Sequence, residues 1–393
     1  MVRKALILKL FNAAYMQRWN DKIRPMELTE LDKQAHKMMI AYFLGKFEEH
    51  EPGFDWIKII EGGIFDLLQR IMITDLKPST FHKIEEDDAK YRKLNQWVYD
   101  ELRPVIIPLG KSFCKRFKDH LFKEDRSINR RILNSAHFYA TNWEFTNIIA
   151  PSNPADFEMD DIRIDLSLKA GSYDLRGIEE LRDKPQYRHF IDMCGQLRFQ
   201  LRWAQIHRVP KTSVLGHSLF VAVLSYLLSL EIKACEIRKK NNYFTGLFHD
   251  LPEVLTRDVV SPVKESVKGL KDLLREYESE MMKKKIYSLV PLEWHPEIKR
   301  YTEDEFSNTM TYRGKERIVT ANIKEKFNKN HYNPRDGQLV KAVDEFCAFV
   351  EAYEAIRNGC PSEELQNAEI ELKKEYTDRK IASVNFGEIY SDF

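Results

Sequence analysis

His249 and Asp250 stand side by side at the end of the apolar run Tyr243-Phe244-Thr245-Gly246-Leu247-Phe248. An imidazole and a carboxylate in that setting need something to bind both. A divalent metal does, since these are its ordinary nitrogen and oxygen ligands. Two further ligand types flank the pair, His217 upstream and Asp344 downstream. A lone inward histidine or aspartate is ordinary core chemistry. Four such groups in this order, on three helical segments, point to a metal centre.

The elements that must position them are legible. From His217 to Leu230 the residues Phe220, Val221, Leu224, Leu227 and Leu228 recur at helical spacing, which predicts a helix with His217 turned inward. A second helix is predicted over Gln338–Arg357, stopped by Asn358-Gly359. On it Asp344 shares a face with Val340, Cys347 and Ala348. An inward carboxylate is costly without a partner. Adjacent helical residues project about 100° apart, so a metal shared by His249 and Asp250 must sit over the end of their element. Pro252 supplies that end by disfavouring helix at Leu251.

The order His217, His249-Asp250, Asp344 resembles the HD-domain metal phosphohydrolases, and among them the bacterial 5'-deoxynucleotidases. That branch carries an Arg-Trp pair before the first histidine, here Arg202-Trp203. It follows His-Asp with a Glu-Val-Leu-Thr-x-Asp-x-x-x-Pro-Val-Lys run, here Glu253 to Lys264. Its last motif is similar to Val340-Lys341-Ala342-Val343-Asp344-Glu345-Phe346-Cys347-Ala348. The resemblance covers roughly Cys194 to Gly359. It implies an all-α fold and one divalent metal in the catalytic domain, with Co, Mn, Mg, Zn, Ni and Fe all open. His217, His249, Asp250 and Asp344 would be its ligands. Glu253 would orient or deprotonate a water, although a glutamate after Pro252 also suits the first turn of a helix. Asp258 would assist at the sugar hydroxyl or the water, Arg202 and Lys264 would meet phosphate oxygens, and Trp203 would wall the sugar. The implied substrate is a deoxyribonucleoside 5'-monophosphate. A different nucleotide substrate and a non-catalytic nucleotide sensor are the alternatives. Arg257 and the stretch Thr302 to Arg317 depart from the branch and bear on substrate identity.

The first 150 residues read as a worn copy of this half. Gln17-Arg18-Trp19 echoes Leu201-Arg202-Trp203, His36 echoes His217, Gly63-Ile64-Phe65-Asp66 echoes Gly246-Leu247-Phe248-His249, and Asp75 falls where Asp258 does. Asp66-Leu67 then replaces His-Asp, Gln69 or Arg70 replaces Glu253, and Ala136 or His137 replaces Asp344. The expected organisation is a degenerate HD-like domain over 1–150, a linker over 151–176, a catalytic HD domain over 177–360, and a helix and tail over 361–393. Two such domains could form an internal pseudo-dimer in a monomer; a homodimer is the alternative. No series of strands is apparent, and 290–311 reads as an irregular connection.

Sixty-two basic and sixty-one acidic side chains leave no bulk bias toward nucleic acid, so a small-molecule nucleotide is the expected partner. Five cysteines without metal-type pairing fit free thiols in a reducing compartment. No apolar run reaches the roughly 20 residues needed to cross a bilayer. A cytoplasmic protein is expected.

Overall fold

The computed structural model describes residues 2–74, 78–156, 158–257, 267, 269–320 and 323–393. The fold is all-α in character. Its working helices are α1 (Lys4–Phe11), α2 (Glu30–Glu48), α3 (Trp56–Met72), α4 (Ile128–Glu144), α5 (Met159–Gly171), α6 (Val214–Glu231), α7 (Glu236–Phe248), the short α8 (Glu253–Thr256), α9 (His295–Thr302), α10 (Gly337–Arg357) and α11 (Glu363–Tyr376).

Two of these, α2 and α6, form the centre. Each starts on a hydroxyl cap: Thr29 Oγ1 accepts from Asp32 N at 3.2 Å, and Ser213 Oγ accepts from Gly216 N at 3.0 Å. Each is buried on nearly every face. By length and composition α6 could cross a membrane, but 89% of it is buried within the fold, so it is a core helix. It packs on α7, α10 and α2, while α2 packs on α4. Gly246 lets α7 approach, because a Cβ there would lie 2.9 Å from the Ala222 backbone.

One buried apolar cluster runs through both halves of the chain. Direct packing of α2 on α6 makes it continuous. Tyr42 lies against Phe244 and Phe248 with ring centroids 4.9 and 5.0 Å apart, and Tyr226 donates to Glu61 Oε1 at 2.9 Å. The stretch expected as a linker contains α5, which packs on α4.

Strand structure is small but present where none was read. Asn308–Tyr312 (β1) pairs antiparallel with Lys315–Ile318 (β2) and with Arg335–Asp336 (β3). The sequence 290–311, expected to be irregular, also holds α9. Two-residue strands such as β3 carry too little alternation to be read from sequence. The sheet nevertheless matters, because Asp336 begins α10 and forms a bidentate pair with Arg238 of α7 at 2.5 and 2.8 Å. That buried pair fixes α10 against α7. The helix ends as expected, at Asn358, with Gly359 at φ +80°.

Candidate metal centre

His217 lies in the first turn of α6, His249 and Asp250 just beyond the last residue of α7, and Asp344 in the second turn of α10. Three helices meeting at their ends thus deliver the four expected side chains to one point. One ligand atom each from His217, His249 and Asp344 lies within 4.8 Å of the others. His217 Nε2 is 2.7 Å from Asp344 Oδ1, and His249 Nε2 is 3.7 Å from the same oxygen. Asp250 Oδ2 is 3.3 Å from His249 Nε2, and these two atoms are buried without a hydrogen-bond partner. Buried polar atoms normally have partners. Two imidazoles and two carboxylates converging with such atoms fit a divalent cation.

The electrostatics agree. Burial pushes the His249 pKa down, but Asp250 and Asp344 outweigh it and carry the group up to about 10. Burial and the Arg202 guanidinium push His217 down, and Glu351 and Asp344 leave it raised. Burial would raise Asp344, but the His217 imidazole at hydrogen-bond distance and the His249 imidazole close by hold it well below the usual carboxylate range. The cluster therefore demands positive charge, which a proton or a metal ion can provide.

The unused ring nitrogens are held. His249 Nδ1 is 2.9 Å from the Gly246 carbonyl oxygen, and His217 Nδ1 is 3.2 Å from Glu351 Oε1. Such contacts orient a ligating imidazole and select its tautomer. Glu351 was missed in the sequence. It also accepts from Trp203 Nε1 at 2.8 Å and Thr212 Oγ1 at 2.7 Å, with Arg202 Nε 3.8 Å away. A signal existed: it follows Asp344 by two helical turns, and so shares its face.

Arg202 and Trp203 are half-buried beside Glu351. Trp203 has φ 55°, a left-handed backbone that few bulky residues adopt, and its side chain packs on the cluster of Ala352, Ala355 and Leu365. A cavity of about 230 Å³ lies inside the 201–211 loop, bordered by both residues; none of the four ligand-type side chains lines it. Glu253 is buried in the first turn of α8, and its carbonyl accepts from Gln200 Nε2 at 2.8 Å. That bond ties the Arg-Trp loop to the helix carrying Glu253. Asp258 and Lys264 lie outside the described residues.

The stretch Thr302 to Arg317 adds two groups that the sequence did not place. Phe306 has its ring 6.1 Å from that of His249. Burial raises the carboxyl of Glu305, with His249 and Asp250 in its electrostatic surroundings.

Residues 194–384 match the HD domain family. Similar proteins include 5'-deoxynucleotidases of Cronobacter sakazakii, 24% identical over 204 residues, and Vibrio atlanticus, 26% identical over 202 residues. Each alignment spans 50% of this chain, and 87% and 89% of the respective relative. A third, from Pasteurella multocida, is 21% identical over 44% of this chain and 76% of its own length. Family match and ligand geometry fall on the same carboxy-terminal segment of this chain.

Proposed function

We propose that this protein is a metal-dependent phosphohydrolase that releases phosphate from deoxyribonucleoside 5'-monophosphates. The observation that carries the reading is the convergence of His217, His249 and Asp344 within 4.8 Å, with Asp250 against His249. The names of the similar bacterial enzymes supply the substrate class.

In this reading His217, His249, Asp250 and Asp344 hold one divalent ion. When bound, the ion supplies Lewis-acid polarisation of a phosphoryl oxygen and acidifies a water molecule. Glu253 takes the proton of the attacking water on its carboxylate; its buried place in α8 fixes where that proton goes. Arg202 binds phosphate oxygens through its guanidinium, and Glu351 holds both Arg202 and the His217 tautomer. Trp203, pinned by its indole N–H on Glu351, is the residue this reading sets against the sugar to discriminate against a 2'-hydroxyl. Asp258 and Lys264 complete the proposed set, at the sugar and at phosphate.

A second reading, hydrolysis of another phosphate compound, is favoured by Phe306 and Glu305. Both come from the stretch that departs from the similar enzymes, and both stand at the ligand cluster. A sensor that binds without turnover is disfavoured by the complete donor set.

The test is phosphate release from ribo- and deoxyribonucleoside monophosphates with added Mn²⁺, Co²⁺ or Mg²⁺, beside an Asp250→Ala control. Release confined to deoxy substrates and absent from the control is expected. Release from both sugars would remove the role given to Trp203, and release only from other phosphate compounds would establish the second reading.

A further inference from the structure

The amino-terminal half repeats the geometry around Arg202 and Trp203 in detail. Gln17 bridges Thr29 as Leu201 bridges Ser213. Trp19 and Trp203 both have φ 55°, and each donates its indole N–H to a glutamate, Glu144 at 3.0 Å and Glu351 at 2.8 Å. His137 precedes Glu144 by the interval that separates Asp344 from Glu351. Contacts between the halves are reciprocal, as an isologous two-fold interface requires. Tyr42 meets Phe244 while Tyr226 meets Glu61, and Asp32 accepts from Ser213 beside Gly216, its own counterpart.

This register, anchored by matching caps and tryptophans, puts Lys33 rather than His36 at the position of His217. His36 Nε2, three positions further along α2, is instead 3.0 Å from the Ile191 carbonyl oxygen. Lys33 Nζ lies 2.6 Å from His137 Nδ1, just as His217 Nε2 lies 2.7 Å from Asp344. An ammonium therefore occupies the neighbourhood that the other half gives to metal ligands. Arg70 falls where Glu253 does.

Charge in this cluster does not balance. Arg18 pairs with Glu30 at 2.8 Å and Glu144 at 2.9 Å, and Arg198 shares Glu144 at 2.8 Å. Asp66 receives Lys37 and Arg130, the latter at 2.8 Å, and Arg70 reaches Glu30 only at 3.7 Å. With Lys33, six basic side chains stand around three carboxylates, while Asp32 accepts from Ser213. Burial pushes the Lys33 pKa well down, a cost that an arriving anion would offset. The cluster is open on one side. His137 is exposed and the Arg70 and Arg130 side chains are 31% and 30% exposed, while a cleft of about 410 Å³ is lined by Gln17 and Ile71, the chain neighbours of Arg18 and Arg70, with none of the cationic side chains in its lining.

We propose that the amino-terminal half is a metal-independent phosphate site, in which the Lys33 ammonium replaces the metal ion and Arg18 and Arg70 clamp a phosphate or phosphomonoester. It binds without cleaving. The base position holds a cation, and the metal positions hold Lys33 and His137 rather than an imidazole and a carboxylate. The choice of phosphate as ligand rests on the phosphohydrolase reading of the other half; the site itself does not.

The experiment is calorimetric titration of inorganic phosphate into the full chain carrying Asp250→Ala, with and without Mn²⁺. One phosphate per chain, bound independently of metal and of Arg202→Ala, is the expected result. Adding Arg70→Ala, at a one-third-exposed side chain whose removal spares the core, should weaken it at least tenfold; Lys33→Met should do the same. A deoxynucleoside monophosphate binding more tightly than phosphate would identify a nucleotide, and equal affinity would identify the free anion. No bound phosphate, or binding indifferent to both substitutions, overturns the proposal. Turnover is read separately on the unsubstituted chain, so failure of one reading leaves the other standing.

Discussion

Replacing Glu351 by glutamine tests whether the buried network behind His217 sets the metal centre. The carboxylate accepts at Oε1 from Thr212 and faces His217 Nδ1, and accepts at Oε2 from Trp203. Burial would raise its pKa, but His217 and Arg208 outweigh burial and hold it well below the usual carboxylate range. Glutamine fits the space but has one acceptor oxygen and one amide donor. Keeping the oxygen toward His217 and Thr212 turns the amide toward the Trp203 N–H, donor against donor, and leaves Arg202 without its countercharge. Losing a hydrogen bond to a charged group costs roughly 1.5–3 kcal/mol of stability. Loss of a partner that orients a ligating histidine costs roughly 10- to 100-fold in metal affinity or activity. That is about 1.4–2.7 kcal/mol.

Two readouts are needed, competition with a chelating dye for metal affinity and thermal unfolding for the fold. Glu351→Gln should lower both, and Thr212→Val, which removes a donor but no charge, should change metal affinity less than about threefold. Metal affinity within threefold of the native chain, with turnover intact, would refute the orienting role. A fall in melting temperature alone would leave Glu351 as a packing residue.

Gly246→Ala should push α7 off α6, because the new Cβ would meet backbone atoms 2.9 Å away. We expect about 1–3 kcal/mol lost in denaturant unfolding and weaker metal binding, as the strain is transmitted to His249. Unchanged metal affinity would show that the α6–α7 spacing does not set the site. Glu297 joins the halves through Lys46 at 2.8 Å and Lys240 at 2.6 Å. Burial would raise its pKa, but the two lysines hold it down to about 2. Its stabilisation is thus complete above pH ~4.5 and lost as pH falls toward 2, with an upper bound of about 3 kcal/mol. The gap between native and Glu297→Gln chains in urea midpoint should close on acidification, and a pH-independent gap would contradict this. Trp203→Ala should narrow deoxy-over-ribo selectivity by about tenfold, read as a kcat/KM ratio, and an unchanged ratio would transfer selectivity to other residues.

What was legible in the sequence followed from short range. Period and caps gave α6 and α10, and the Asn358-Gly359 stop fell where expected. The four ligand-type residues were readable because His217 and Asp344 share helix faces with apolar residues and His249-Asp250 closes an apolar run. Glu351 was not, because a glutamate deep in a long helix looks like a solvated one until three donors from other segments reach it. Phe306 and Glu305 were hidden for a related reason, since β1 and β3 place them through pairings of a few residues far apart in the chain.

The worn copy shows the limit most clearly. Matching residue types along the chain pairs histidine with histidine, His36 with His217. Matching the backbone devices that launch each helix pairs Lys33 with His217 instead, through Thr29 and Ser213, Trp19 and Trp203. An offset of three residues turns a helical side chain by about 60° and moves it about 4.5 Å along the axis, which sets His36 against the Ile191 carbonyl rather than His137. Its place at the cluster goes to an ammonium against His137. On the proposed reading, the amino-terminal half has the scaffold, tryptophan anchor and buried glutamate of a metal centre without its metal ligands. Those parts are built by packing and hydrogen bonds that are independent of the ion. The six basic side chains around Glu30, Glu144 and Asp66 mark where the proposed anion would bind.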